Sequence, residues 1–393
     1  MDSTIDKFNS HVMGTYGRFD VVLDSGENRT VKDENDKAYI DFGSGIGTNS
    51  LGYCNDDWVD SVCSQVKKLQ HSSNYYYTKI QSDFASKLCK TTGYSKMFFG
   101  NSGAEANECA IKLARKYSFD KYGKGRSTIL TLTNSFHGRT LCTLSATGQD
   151  VFHNYFFPFV EGFNYVETNN IDDLIAKIDD TVCAVMFEFV QGEGGIIPLN
   201  EGFVNAIFAE CENKDILTIA DEVQTGVGRS GKFLSSELYG VHPNITTLAK
   251  GLAGGVPIGA CLADEKCCDV LTRGTHGSTF GGNPISCAGG LAVLDKVTSD
   301  GFLDEVAKKG EYIKSKLLSI KNVKAVDGVG MMIGIQFENQ DKTALDIAQM
   351  ALDKGLLVLT AKAKVRLLPP LTITYEEIDK GMEILKQIFE EEN

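Results

Sequence analysis

The sequence predicts an α/β fold: a large domain with a mostly parallel sheet covered by helices, plus a smaller α+β domain built from the C-terminal part and the N-terminal segment. Three observations carry this reading. Apolar strand-like runs alternate with amphipathic stretches between residues 96 and 249, and such alternation argues for a parallel sheet buried on both faces. Glycine is 40 of 393 residues, above the usual ~7%. The excess gathers at 43–52, 100–103, 192–195, 226–231, 251–259 and 274–282, as expected where strand-to-helix loops turn sharply or approach a ligand. After about residue 285 the texture changes to helices followed by short strands.

In chain order, residues 20–23, 29–33 and 38–42 read as strands. Residues 96–99 are a short buried strand. Residues 105–117 form a helix with Ala106, Ala110, Leu113 and Tyr117 on one face. Further strands are expected at 127–132, 183–187, 216–220 and 245–249, with helices at 171–178 and 203–212. Helices then cover 284–298 and 301–320, strand-like runs 331–337 and 355–359, and a last helix 375–391. The expected organisation is an N-terminal segment, 1–45, joining the small domain; a large domain, 46–284; and a small C-terminal domain, 285–393. Active sites on such sheets lie at the carboxyl ends of the strands.

Composition narrows the function classes. Apolar residues at 42% and charged residues at 23% are ordinary globular values and exclude a mostly disordered chain. The net charge of −13 argues against a broad nucleic-acid surface. The 11 cysteines contain no Cys-x-x-Cys, and the six histidines no zinc-type spacing, which predicts no metal site and a reducing compartment. The polar, acidic start shows no apolar signal region. The uncharged, Gly-rich stretch 251–263 is too short to span a bilayer. A cytoplasmic protein without membrane contact is expected.

Six motifs can carry chemistry, each beside a plainer reading. Gly226, Gly228 and Gly231 match Gly-x-Gly-x-x-Gly, and Lys232 completes an approximate P-loop. Phe233 stands where a P-loop needs a hydroxyl, and 232–239 is too short and polar for a dinucleotide helix. Ser102 and Glu105 fit a helix capping box; the backbone N–H groups of Ser102, Gly103 and Ala104 could instead seat a phosphate. Asp221 and Lys250 end neighbouring strands. They could form an ion pair, or a lysine could form a Schiff base with an aldehyde cofactor while the carboxylate keeps a pyridine nitrogen protonated. Phe136 is core or a ring stacked on a heterocycle. Arg139 is a surface charge or a carboxylate clamp. Ser278 and Thr279 lie in a turn or meet a phosphate.

Taken in order, these motifs resemble the class III, pyridoxal-phosphate-dependent aminotransferases of fold type I, from Tyr39 to Arg366. Within that class, Phe136-His137-Gly138-Arg139 and Gln191-Gly192-Glu193-Gly194-Gly195 resemble the acetylornithine aminotransferases of arginine biosynthesis; ornithine aminotransferases usually carry Trp in place of His137. The resemblance implies pyridoxal 5'-phosphate as cofactor and Lys250 as the Schiff-base lysine and proton shuttle. It implies Asp221 as partner of the pyridinium nitrogen, Val223 and Phe136 around the ring, and Gln224 on the phenolic oxygen. Ser102, Gly103 and Ala104 would bind the phosphate. Thr279 would reach the phosphate of a neighbouring subunit, making a homodimer with shared sites, with Ser278 on the substrate side.

For substrates, the resemblance implies that Arg139 holds the distal carboxylate of either substrate. Arg366 would hold the carboxylate next to the keto group of 2-oxoglutarate. Glu193 would neutralise Arg366 when the amine donor binds, and Glu188 matches a second acid near Gln224. Ala104 replaces a frequent Thr, Phe189 a usual Pro, and 360–366 is one residue short and lacks a Gly.

The implied reaction moves the δ-amino group of N2-acetyl-L-ornithine to 2-oxoglutarate, giving N-acetyl-L-glutamate 5-semialdehyde and L-glutamate. Rivals are transamination of ornithine, succinyl-ornithine, succinyl-diaminopimelate or 4-aminobutyrate; an NAD-dependent oxidoreductase using the Gly226/Gly228/Gly231 loop; and a binding module that has lost catalysis.

Overall fold

The computed structural model describes residues 3–338 and 342–390. Its centre is a seven-stranded sheet in the order Lys96–Gly100, Gly259–Ala263, Ile245–Leu248, Leu217–Asp221, Val182–Phe187, Thr128–Leu132, Phe163–Val166. Gly259–Ala263 runs antiparallel to both neighbours. The pairs from Ile245–Leu248 to Phe163–Val166 are all parallel. The mostly parallel sheet predicted from strand–helix alternation is therefore present.

Strand side chains alternate between two apolar layers, as a pleated ribbon requires. Ile129, Met186, Ile219 and Ile245 face Ala110, Leu113 and Ala114 of the helix Gly103–Tyr122. Leu130, Leu132, Val185, Phe187 and Ala220 face Leu174 of helix Ile171–Lys177 and Phe203, Val204 and Ile207 of helix Glu201–Asn213. Burial on both sides is why Val182–Phe187 is apolar throughout and buried at every position.

The N-terminal strands Leu23–Glu27, Thr30–Asp33 and Ala38–Asp41 form an antiparallel ribbon, and Leu356–Leu357 joins its last strand in parallel. The chain's beginning thus pairs with its C-terminal part. A second, antiparallel sheet has the order Val323–Val329, Met332–Phe337, Lys364–Leu367, Leu359–Ala361. Helices Phe302–Leu318, Ala344–Asp353 and Tyr375–Glu390 cover it. Phe42 is fully buried here, and a Cβ at Gly381 would stand 2.3 Å from its ring. Only glycine lets the last helix come this close.

Several expectations need correction. The first strand starts at Leu23 and runs to Glu27 rather than over 20–23. Helices Thr4–His11, Asp56–Lys68, Lys79–Thr92 and Ala344–Asp353, and strands Phe163–Val166 and Gly259–Ala263, were not anticipated. The first of these helices buries no residue and the second only Gln65, so apolar periodicity had little to mark. Residue 391, the expected end of the last helix, lies outside the described residues.

The Gly226–Gly231 turn is not a nucleotide loop. Val227, Arg229 and Ser230 are buried. A Cβ at Gly228 would meet Leu303 at 2.9 Å, and one at Gly231 would meet Ala307 at 2.9 Å. Those glycines let the turn pack directly against helix Phe302–Leu318, and a dinucleotide has no room there.

Glu222, next to Asp221, serves the fold. It is fully buried and accepts the N–H groups of Ser235 at 2.6 Å and Ser236 at 2.9 Å. Burial raises its carboxyl to about 7 against these bonds. A carboxyl raised in the folded state stabilises most below its unfolded value, and that stabilisation fades as pH climbs to the folded value. The stability difference between wild type and Glu222→Gln should therefore move against wild type between about pH 4.5 and pH 7, read by urea unfolding across that range. A difference independent of pH would contradict this.

Candidate active site

A cavity of about 460 Å³ opens at the carboxyl ends of the central strands. Each wall follows from one strand end. After Lys96–Gly100 the chain turns into helix Gly103–Tyr122, and Ser102, Gly103 and Ala104 line the cavity. Ser102 Oγ accepts the Glu105 N–H at 3.2 Å, as the capping motif predicted. Glu105 does not return that bond: its carboxylate takes the N–H of Asn101 instead. The helix thus begins at the cavity wall, where N–H groups without intrahelical partners favour an anion. A Cβ at Gly103 would stand 2.6 Å from Val223 Cγ1, so glycine permits the walls to meet.

Asp221 ends the central strand and Lys250 follows the next, with Asp221 in register with Thr247. Both line the cavity. Asp221 is buried, and its Oδ1 accepts the Val223 N–H at 3.0 Å. Its Oδ2 accepts Asn107 Nδ2 at 2.7 Å and meets His137 Nδ1 at 2.8 Å. Lys250 keeps part of its surface toward the cavity, yet burial still lowers its amine's pKa. Its backbone is left-handed, with φ 41°.

Phe136 and Arg139 form another wall. The Arg139 guanidinium is stacked 4.0 Å from the Phe152 ring centre and 5.3 Å from that of Phe136. Arg139 is exposed and faces the mouth. Glu188 is buried; its two oxygens accept the Phe136 N–H at 2.8 Å and the Gly192 N–H at 3.0 Å. It ties the aromatic wall to the loop carrying Glu193. Burial raises the Glu188 carboxyl to about 7.

Arg366 is buried at the edge of the cavity. Its Nη1 donates to Glu193 Oε1 at 2.6 Å and to Gln224 Oε1 at 3.4 Å. Its Nε–H is buried with no partner among the described residues. Burial works against ionisation of Glu193, but the Arg366 guanidinium prevails and holds its carboxyl below the usual range.

Ten of the predicted site residues line this cavity: Ser102, Gly103, Ala104, Phe136, Arg139, Glu193, Asp221, Val223, Gln224 and Lys250. Arg366 joins them through Glu193 and Gln224. Ser278 and Thr279 do not; they line two separate surface hollows, with Ser278 Oγ accepting Asn101 Nδ2 at 3.1 Å.

The model of the class-III aminotransferase family matches residues 13–389. The chain belongs to the class III aminotransferases. It is similar to an acetylornithine aminotransferase from Haemophilus ducreyi, 47% identical over 97% of each chain. Among solved structures it is similar to an ornithine aminotransferase from Toxoplasma gondii, 29% identical with a TM-score of 0.94, covering 99% of this chain and 95% of the other. It is also similar to an N-acetylornithine aminotransferase from Stenotrophomonas maltophilia, 32% identical with a TM-score of 0.83, covering 95% and 96%.

In this aminotransferase two buried residues of the cavity lining, Asn107 and His137, were not foreseen as partners of Asp221. Asn107 is fully hydrogen-bonded between His137, Asp221 and Thr247. Its one signal is a polar residue among the buried Ala106, Ala110 and Leu113 of its helix. The pairing of His137 with Asp221 spans 84 residues and leaves no local trace. All 11 cysteines are free thiols. No helix among the described residues is long and apolar enough to cross a membrane.

Proposed function

We propose that the protein transfers the δ-amino group of N2-acetyl-L-ornithine to 2-oxoglutarate, yielding N-acetyl-L-glutamate 5-semialdehyde and L-glutamate, with pyridoxal 5'-phosphate as cofactor. The reaction belongs to arginine biosynthesis. The observation that carries the reading is the Arg366–Glu193 pair, 2.6 Å apart, at the cavity that holds Lys250 and Asp221. A buried arginine with a detachable counter-charge suits an enzyme whose two substrates differ by one carboxylate near the reacting carbon.

The residues present fit this cofactor. A helix N-terminus offers N–H groups for its phosphate, a buried carboxylate faces the cavity floor, and a lysine of lowered pKa lines the wall. When bound, the cofactor supplies an electron-accepting ring and a carrier for the amino group. Ser102, Gly103 and Ala104 would hold its phosphate, Asp221 would keep a proton on its pyridine nitrogen, Val223 and Phe136 would hold the ring, and Gln224 would bind its phenolic oxygen. Lys250 would hold the cofactor through its amine and would serve as the proton carrier at the cavity wall.

Arg139 binds the carboxylate distant from the reacting carbon in either substrate. Arg366 binds the near carboxylate of 2-oxoglutarate, for which its Nε–H, without a partner among the described residues, is available. With the amine donor, Glu193 stays on Arg366 and removes a charge that would otherwise be buried alone. In a cytoplasmic homodimer, Thr279 would contribute to holding the phosphate of the second copy's cofactor, and Ser278 would serve the substrate side. Residues 46–284 form the cofactor-binding domain; 285–393 with 1–45 form the smaller one.

The test is the visible absorption of the purified protein with pyridoxal phosphate, before and after N-acetylornithine without a keto acid. The colour should bleach with the amine and return with 2-oxoglutarate. A coloured protein indifferent to N-acetylornithine but bleached by ornithine would move the donor assignment. One that takes up no cofactor would end the reading.

A further inference from the structure

Arg139 stands at the mouth of the cavity, exposed, on the loop before helix Leu141–Ala146. Its guanidinium makes no hydrogen bond and no ion pair among the described residues; its contacts there are two aromatic rings, Phe152 at 4.0 Å and Phe136 at 5.3 Å from the ring centres. A free arginine side chain has many rotamers, and fixing one of them costs entropy that a ligand must offset. What limits Arg139 here is therefore the nearer ring, that of Phe152.

Phe152 is itself held firmly. It closes the short 3-10 turn Asp150–Phe152, where its N–H donates to Gln149 O at 3.0 Å. The buried Gln149 ties the start of that turn to the cavity wall by donating Nε2 to Ser135 O at 3.0 Å. On the other side, His153 Nε2 meets Leu144 O at 2.9 Å, and its ring packs against Phe159 and Tyr165. The Phe152 ring meets Phe136 edge-on, with centres 6.0 Å apart and planes at 76°. It is half-buried and stands outside the lining of the cavity.

This geometry differs from an ion pair in what it leaves open. A carboxylate partner would occupy the N–H edge of the guanidinium and compete with a substrate carboxylate. A ring occupies only the face, and the in-plane N–H fork stays available for bidentate binding.

We propose that Phe152 is a positioning residue: its ring carries the face of the Arg139 guanidinium and holds the N–H fork ready for the distal carboxylate of both substrates. This rests on Arg139 being the residue that binds that carboxylate.

The test compares the full-length holoenzymes F152L, F152Y, R139A and F152L/R139A with wild type. The donors are N-acetylornithine and N-(4-aminobutyl)acetamide, the same amine without its carboxylate. F152L keeps an apolar side chain but has no π face. Its KM should rise about threefold to fivefold for both N-acetylornithine and 2-oxoglutarate, the range of an exposed cation–π contact, with kcat falling less than twofold. F152Y should restore both KM values. The rate of bleaching by N-(4-aminobutyl)acetamide should be the same in F152L as in wild type, and F152L should add nothing in the R139A background. Wild-type KM values in F152L, beside raised values in R139A, would overturn the proposal. So would an equal loss with the amine that lacks the carboxylate, which would make Phe152 a support of the cavity as a whole. Wild-type KM values in R139A would remove the reading of Arg139, and the proposal with it. If F152L does not fold, F152M, also without a π face, provides the same contrast with F152Y.

Discussion

Replacing Lys250 with alanine is expected to lower kcat/KM about ten-thousandfold, the upper range for a positioned proton-transfer group, while the protein stays folded. The side chain borders the cavity rather than the core, so its removal leaves no void among apolar neighbours. Its aim comes from the backbone. A φ of 41° is a left-handed conformation, which costs a non-glycine residue roughly 1 kcal/mol or more. Ser50 Oγ holds the turn by donating to Gly251 O at 3.0 Å. Burial lowers the amine's pKa, which increases the share of the neutral, proton-accepting form. Lys250→Arg separates charge from proton transfer. A guanidinium keeps the charge but does not give up its proton, so it should be as inactive as alanine. Single-turnover absorbance with N-acetylornithine reads both variants. More than a tenth of wild-type rate in either would mean that Lys250 does not move the proton.

Lys250 and Asp221 were legible in the sequence because of where they stand. Both end apolar runs, and a charged residue at the end of a doubly buried parallel strand is conspicuous. Strands Thr128–Leu132, Val182–Phe187, Leu217–Asp221 and Ile245–Leu248 were readable for the same reason: burial on two faces keeps them largely apolar, whereas the partly exposed edge strand Phe163–Val166 was not anticipated. Gly259–Ala263 is equally apolar but follows the glycine-rich 251–255, and it was not anticipated. Helix Lys79–Thr92 buries only Phe84, Leu88 and Thr92, too few to set a period. The site's deeper layer was illegible for another reason. Asn107, His137 and Asp221 meet only when helix, loop and strand are stacked, and nothing in the local sequence of each specifies the others. The Gly226–Gly231 turn shows the reverse error. Its spacing imitates a ligand loop, but its glycines serve close packing.

Glu193→Ala should divide the reaction into unequal halves. Arg366 is only 3% exposed, and Glu193 Oε1 is the acidic oxygen bonded to it. Removing one member of a buried pair strands the other charge, at a cost of about 3 kcal/mol. The donor N-acetylornithine brings no carboxylate to that position, so its half-reaction bears the cost and should slow about a hundredfold. 2-Oxoglutarate brings a carboxylate of its own, which satisfies Arg366 without Glu193. Its half-reaction should change by less than about threefold, since the compensating charge arrives with the substrate. Glu193→Gln keeps the shape and one acceptor oxygen while removing the charge. It should fall between wild type and Glu193→Ala in the donor half-reaction, because hydrogen bonding alone screens a guanidinium only partly. Rates of bleaching by the amine and of colour recovery with 2-oxoglutarate give the two halves separately. Equal losses in both would mean that Glu193 shapes the cavity and does not exchange with a substrate carboxylate.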